Sequence, residues 1–363
     1  MTQASSVNRV LMMAGGTGGH VFPALTIARE LQEQGVDIQW LGTQKGIESR
    51  LVPDAGITLH TIDVTGIRGK GLMAKLLAPF KILVAITQAR KVIKELQPKL
   101  VFGLGGFASG PGGVAARLMG LPLFIHEQNA VAGTTNRLLQ KIATRVFEAF
   151  KGSLPTAEYV GNPVRKEIVN ISKATADKVI DETTADKPTV LVLGGSQGAL
   201  ALNQLVPLAM SLLSDDLRPR IIHQTGANQK ASVQASYKKV GVSAEVSEFI
   251  TDMAGAYSQA DLVVCRSGAL TVAELLVVGI PAVFVPYPYA IDDHQTKNAA
   301  AVVNAGGGLL RPQSELTAEN LAEDLNDLLS SHEKLSEMAD AVKKLAVTDA
   351  ASRMAAACME KIQ

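Results

Sequence analysis

The chain has 363 residues, 47% of them hydrophobic and 19% charged, with a formal net charge of +1. It is longer than one core of about 150–180 residues supports, and its composition excludes general disorder and gives no global electrostatic handle for nucleic acid. Its two cysteines, Cys265 and Cys358, lie far apart without metal spacing, which excludes a disulfide framework and fits a reducing compartment.

The first ten residues are mostly polar and the apolar run Val10–Ala14 ends in glycines, so no export signal is expected. Arg9–Ala14 is predicted to be a buried strand running into Gly15-Gly16-Thr17-Gly18-Gly19-His20. A helix is predicted over Pro23–Leu31, with the proline in its first turn, where a missing N–H costs nothing. Apolar runs at Ile38–Leu41, Leu100–Gly103, Leu121–Ile125 and Arg145–Phe147 alternate with helical stretches such as Lys81–Leu96. This alternation predicts βαβ units around a parallel sheet.

The pattern restarts after a turn at Gly161-Asn162-Pro163 and a polar stretch, Lys173–Lys187. A second buried strand, Thr189–Leu193, enters Gly194-Gly195-Ser196-Gln197-Gly198, and strands are predicted at Arg220–His223, Asp261–Cys265 and Pro281–Val285. The expected class is α/β, with two Rossmann-like domains, 1–163 and 164–340, their boundary near Asn162–Arg165. The Ala-rich end is predicted to be helical, and segment 341–363 to pack back across the join. The uncharged stretches Leu100–Ala116 and Leu275–Ile291 are broken by Gly or Pro and too short for a bilayer span, and the chain is expected not to cross a membrane.

Three glycine-rich stretches follow predicted strands, at Gly15–His20, Gly103–Gly113 and Gly194–Gly198. Glycine lets backbone N–H groups approach an anion, and a following helix N-terminus favours negative charge. In open parallel sheets ligands bind beyond the carboxyl ends of the strands, so two such sheets facing across a cleft suggest a two-substrate enzyme acting on a diphosphate. Two other readings compete. Gly103–Ala108 spells G-x-G-x-x-A with Glu127 downstream, as in a dehydrogenase, but Pro111 and two more glycines interrupt the helix start. Gly194–Gly198 spells a G-x-S-x-G elbow, but Asp292, Asp293 and His294 form no evident triad and no HGGG motif appears. There is no Walker lysine, HExxH or D-x-D pair, so no metal and no cofactor are expected, and N–H groups and dipoles would stabilise a leaving diphosphate.

GGTGGHVFPAL (Gly15–Leu25), GLGGFASGP (Gly103–Pro111), HEQNAVAGTTNRLL (His126–Leu139), GNPVR (Gly161–Arg165), GGSQGA (Gly194–Ala199), EFITDM (Glu248–Met253), CRSGALTVAEL (Cys265–Leu275) and the His294–Ala299 region occur in order along the chain. In these motifs the chain resembles the MurG glycosyltransferases, with Phe107 standing where that family's pattern leads one to expect Tyr. The resemblance implies a GT-B fold and transfer of N-acetylglucosamine from UDP-N-acetylglucosamine to the muramyl C4 hydroxyl of undecaprenyl-linked lipid I, giving lipid II for peptidoglycan. It implies that Ile250 presents backbone groups to uracil and that Glu274 takes the ribose hydroxyls. Ser196 and the helix start Ala269, Leu270, Thr271, Val272 and Ala273 would hold the diphosphate, Arg165 would serve a phosphate or the hinge, and Gln295 and Asn298 would bond the donor sugar. Asn129, Thr17, Gly18 and Gly19 would reach in from the acceptor domain. Thr271-Val-Ala-Glu274 also spells a capping box, which would confine Glu274 to closing a helix.

Inverting transfer needs a base for the acceptor hydroxyl, and His20, at the end of the first glycine loop, is the candidate, with His126, Glu127 and His294 in reserve. Between Val64 and Lys94 lie seven basic residues (Arg68, Lys70, Lys75, Lys81, Arg90, Lys91, Lys94) and no acidic ones, interleaved with Leu72, Met73, Leu76, Leu77 and Phe80. Exposed on one face, they would dock on an anionic membrane surface; as a solvated helix, the apolar side would instead join the core. The expected location is peripheral, on the cytoplasmic face of the inner membrane, near other cell-wall synthesis and division proteins. Two further readings are a UDP-N-acetylglucosamine 2-epimerase, needing acidic or histidine groups around C2 and no basic lipid-facing segment, and a non-catalytic nucleotide-sugar-binding subunit, needing no base at His20.

Overall fold

The computed structural model describes residues 8–64, 77–175, 187–195 and 198–363. The chain divides into two compact units, Met1–Arg165 with Asp349–Gln363, and Lys166–Thr348.

In unit 1 the elements run β1 (Arg9–Met13), α1 (Gly18–Glu33), β2 (Asp37–Gly42), α2 (Glu48–Asp54), β3 (Thr58–Thr61), α3 (Ala78–Leu96), β4 (Leu100–Gly103), α4 (Ser109–Leu118), β5 (Leu123–Glu127), α5 (Thr134–Leu139), β6 (Arg145–Glu148) and β7 (Glu158–Tyr159). Among the described residues the strands form one parallel sheet in the order β3-β2-β1-β4-β5-β6-β7. Helices cover both faces of such a sheet, which is why β1 and β4 read as continuous apolar runs and are almost wholly buried. Phe102, Phe124 and Phe147, from three adjacent strands, stack with centroids 5.9–6.1 Å apart, and such edge and tilted pairs add about 0.5–1.5 kcal/mol each beyond area burial.

The helix predicted over Pro23–Leu31 begins five residues earlier, at Gly18, so Pro23 lies inside it rather than in its first turn. The glycines themselves form the opening turn, and the ring of Pro23 replaces the N–H that would reach the carbonyl of Gly19. The C-terminal helix α14 (Ala350–Ile362) belongs to unit 1 and packs on α1. Arg353 donates to the Tyr159 carbonyl at 3.1 Å, and Lys99 Nζ donates to the Ile362 carbonyl at 3.0 Å.

Unit 2 runs α6 (Lys166–Thr175), β8 (Thr189–Leu193), α7 (Leu200–Leu212), β9 (Arg220–Gln224), α8 (Lys230–Lys239), β10 (Glu245–Ser247), α9 (Met253–Gln259), β11 (Leu262–Cys265), α10 (Ala269–Val278), β12 (Ala282–Phe284), a 3-10 turn Ile291–Asp293, α11 (His294–Asn304), β13 (Gly308–Leu310), α12 (Ala318–Leu329) and α13 (His332–Lys343). Its described strands are also all parallel, ordered β10-β9-β8-β11-β12-β13. In both units the strand order reverses between the first and fourth strands, β1/β4 and β8/β11. This is the switch point at which doubly wound sheets bind ligands. No helix among the described residues is long and apolar enough to cross a membrane.

Candidate active site

Four loops leave the switch-point strands, and each opens a helix: α1, α4, α7 and α10. None of these helices has a side-chain cap on its first turn or an acidic residue within it. The positive dipole end of such a first turn favours an anion.

In unit 1, Thr17 is the N-cap of α1, and Gly18, Gly19 and His20 form its first turn. Thr17 Oγ1 lies 3.2 Å from His20 Nδ1. The β4 loop closes against this group: a Cβ on Gly105 would fall 2.9 Å from His20 Nε2, and one on Gly106 would fall 2.5 Å from the Gly15 carbonyl oxygen. Gly105 and Gly106 both have positive φ, +98° and +84°. The G-x-G-x-x-A spelling is therefore explained by close packing of one glycine loop on another. Buried Ser109 locks the pair, donating to the carbonyls of Met13 (2.9 Å) and Gly105 (2.6 Å).

Two of the reserve bases are occupied. His126 is fully buried, its Nε2 3.0 Å from the Gly161 carbonyl and its Nδ1 3.1 Å from Gln128 Nε2. Burial pushes its pKa down to about 4, so it stays a neutral structural imidazole. Glu127 Oε1 accepts from Asn129 N at 3.0 Å and, at 3.3 Å, from Asn129 Nδ2. Its Oε2 accepts from Gly133 N at 3.0 Å and Asn136 Nδ2 at 2.9 Å. Glu127 thus shapes the loop that presents Asn129. Arg165, the last residue before α6, lies with its guanidinium carbon 5.9 Å over the Phe22 ring of α1.

In unit 2, Ser196 lies outside the described residues, while Gly194 and Gly198 flank it. A Cβ on Gly198 would come within 2.5 Å of the Thr225 carbonyl. That carbonyl is held from below by a buried chain: Tyr237 OH to His223 Nδ1 at 2.9 Å, His223 Nε2 to Asn203 Oδ1 at 3.1 Å, and Asn203 Nδ2 donating to Thr225 O at 3.1 Å. The amide direction puts the histidine proton on Nε2, and burial pushes the His223 pKa down to about 4, so the chain is neutral throughout.

Helix α10 starts at Ala269 with Gly268 as its N-cap, so Thr271 lies inside the helix and the capping-box reading of Glu274 fails. Ala269, Leu270 and Thr271 supply its first-turn N–H groups, Val272 and Ala273 are buried, and Glu274 is 5% exposed. Tyr257, missed in the sequence, donates to Glu274 Oε2 at 2.9 Å and orients the carboxylate. Ile250 is half-buried in the loop after β10, beside the exposed Phe249. Gln295 Oε1 accepts from Tyr287 N at 2.8 Å.

Asn298 is fully buried, and its Nδ2 donates to the Ser267 carbonyl at 3.1 Å. This bond ties α11 to the loop that opens α10. Arg266 holds the same loop by donating to the Val285 carbonyl at 2.9 Å and the Pro286 carbonyl at 3.0 Å. The structure thus groups Thr17, Gly18, Gly19 and His20 in unit 1 and links Asn298 to the α10 start in unit 2, while Asn129 and Ile250 sit on separate loops and Gln295 lies in the first turn of α11. No group of three potential metal-ligating side chains occurs among the described residues.

The N-terminal and C-terminal domains of glycosyltransferase family 28 match residues 10–148 and 189–354. With two doubly wound units bearing uncapped glycine loops, these matches define a family 28 glycosyltransferase of GT-B fold. The chain is 52% identical over 357 residues to the UDP-N-acetylglucosamine–N-acetylmuramyl-(pentapeptide) pyrophosphoryl-undecaprenol N-acetylglucosamine transferase of Chromohalobacter salexigens, covering 98% of this chain and 97% of that one. The enzyme of that name from Shewanella denitrificans is 50% identical over 366 residues, with 99% of each chain covered. The crystal structure of Acinetobacter baumannii MurG superposes with a TM-score of 0.80 at 41% identity, covering 97% of this chain and 99% of that one. The chain belongs to the MurG family. A UDP-N-acetylglucosamine 2-epimerase from Neisseria meningitidis, at 14% identity and a TM-score of 0.67, shares the fold alone.

Proposed function

We propose that this chain moves N-acetylglucosamine from UDP-N-acetylglucosamine onto the C4 hydroxyl of the muramyl residue of lipid I, with inversion, to give lipid II. The observation that carries the site reading is the row of uncapped first turns at both switch points. The uridine nucleotide lies on unit 2. Backbone groups of Ile250 take uracil, Glu274 accepts from the ribose hydroxyls, and the N–H groups of Ala269–Thr271, with Ser196, hold the diphosphate. Gln295 reads the sugar, and Asn298 acts through the Ser267 loop. Unit 1 presents the acceptor to His20, with Thr17–Gly19, Asn129 and Arg165 around it.

In the reaction the C4 oxygen attacks the anomeric carbon as its proton passes to His20 Nε2. The bond from the anomeric carbon to the phosphate oxygen breaks, and UDP leaves with the electron pair. Charge developing on the diphosphate is met by preorganised N–H groups and the α10 dipole, an arrangement worth several kcal/mol when water is excluded.

The protein works peripherally at the cytoplasmic face of the inner membrane. Of the basic segment, residues 65–76 lie outside the described residues, and with them Arg68, Lys70, Leu72, Met73, Lys75 and Leu76. The remainder, along α3, turns Ala78, Ala85, Ala89 and Ile93 into the core. Leu77, Phe80 and Leu83 stay exposed, as do Lys81, Arg90, Lys91 and Lys94. An exposed apolar patch continuing into a basic face supports docking on anionic lipid, at about 1 kcal/mol per basic residue.

The test is turnover with UDP-N-acetylglucosamine and a lipid I analogue in the presence of EDTA. A disaccharide product and released UDP are expected. Epimerised sugar nucleotide, or activity abolished by EDTA and restored by a divalent ion, would overturn the reading.

A further inference from the structure

Unit 1 buries a carboxylate that none of the catalytic assignments uses. Glu48, at the first position of α2, is 0% exposed. Its Oε2 accepts from Gly16 N at 2.9 Å, and its Oε1 accepts from Thr43 N at 3.1 Å and Thr43 Oγ1 at 2.7 Å. The carboxylate sits in a cage that only glycines leave open. A Cβ on Gly15 would lie 2.5 Å from Oε1, one on Gly42 would lie 2.8 Å from Glu48 Cγ, and one on Gly46 would overlap the carboxylate outright. An acid at a helix start ordinarily serves its own dipole. This one instead reaches 32 residues back in sequence to the loop that opens α1.

The bond has a direct consequence for the site. Gly16 stands at φ +87° with open space around its Cβ position, and its N–H is held by the Glu48 carboxylate. The next residue is Thr17, whose hydroxyl meets His20 Nδ1. We infer that Glu48 is a positioning residue for transfer: by holding the Gly16 amide it fixes the Thr17–His20 turn that aims the base and the first N–H groups of α1. This rests on the role proposed above for His20.

The proton inventory supplies the test. In Glu48→Gln an amide oxygen left with Thr43 turns the amide NH2 toward Gly16 N–H, donor against donor, so the variant keeps the Thr43 half of the cage and loses the loop bond. Gly16→Ala attacks the same link from the other side, disturbing only the positive φ. For both variants kcat for transfer is expected to fall at least tenfold, while KM for UDP-N-acetylglucosamine, set by unit 2, stays within twofold. Trp40 fluorescence, from a buried indole bonded to the Ala14 carbonyl at 2.9 Å, reports whether unit 1 is folded. If Glu48→Gln does not fold, Gly16→Ala decides alone. Ring 1H–15N spectra of histidine-labelled protein give a readout independent of turnover: His20 signals should shift while those of His223 stay in place. A folded variant with kcat within twofold of wild type, parallel losses in kcat and donor KM, or unmoved His20 signals would overturn the proposal. Wild-type protein that fails to transfer would overturn the function reading instead, with the spectra still deciding the role of Glu48.

Discussion

A buried histidine that cannot protonate makes a stability prediction with a defined sign. His126 has a pKa near 4 in the folded chain because burial disfavours the imidazolium, against about 6.5 when unfolded. Between those values the unfolded state binds more protons, so stability rises with pH and is lost on acidification. Lowering the pH from 7 to 5 should cost unit 1 about 2 kcal/mol through this residue. His60, half-buried and shifted down by burial, acts in the same direction. The assay is urea unfolding followed by Trp40, the single tryptophan, which lies in unit 1 and so reports that unit separately. His126→Gln should be less stable at pH 7, with most of the slope between pH 7 and 5 removed. A flat wild-type profile, or an unchanged slope in His126→Gln, would refute the assignment of His126 as a neutral structural residue and return it to the candidates for proton transfer.

Three further outcomes follow from the geometry. Tyr257→Phe removes the donor that orients Glu274 and should weaken UDP binding by about 1.4 kcal/mol, tenfold by calorimetry, with Glu274→Ala losing thirtyfold or more. Gly106→Ala drives a Cβ into the Gly15 backbone at positive φ and should destabilise unit 1 by about 3 kcal/mol. Gly35→Ala, at positive φ but with open space around it, should cost about 1 kcal/mol, so the difference isolates the contact between glycine loops. Replacing the exposed Phe80 and Leu83 together by Ser should leave folding intact and lower partition onto anionic vesicles about thirtyfold, roughly 2 kcal/mol of lost apolar burial; unchanged sedimentation with the vesicles would exclude α3 as the dock.

The doubly wound plan was legible in the sequence because its central strands are buried on both faces. β1, β4, β8 and β11 therefore show as uninterrupted apolar runs ending in glycine or small residues. The edge strands β3, β7 and β10 and the short β13 escaped notice: each has two to four residues, and none is a fully buried run. The start of α1 was misplaced because glycine, a poor helix former, gives no helical signal at Gly18 and Gly19, where the helix begins. The glycine loops and His20 could be read from motif and chemistry. The supports of those loops could not: Glu48 beneath Gly16, Tyr257 beneath Glu274 and Asn298 behind Ser267 act across 17 to 32 positions. Such pairings exist only once the sheets have brought their loops together. An isolated Glu in a polar stretch looks like surface until burial is known.

The central claim is that His20 takes the acceptor proton while the donor nucleotide is held independently on unit 2. Single-turnover transfer from radiolabelled UDP-N-acetylglucosamine to a lipid I analogue by His20→Ala, paired with calorimetric binding of UDP-N-acetylglucosamine, tests it most directly. The account predicts a rate loss of about 100-fold or more, typical of a missing general base, at an unchanged donor Kd. Transfer at near wild-type rate, or a donor affinity that falls with the rate, would contradict it.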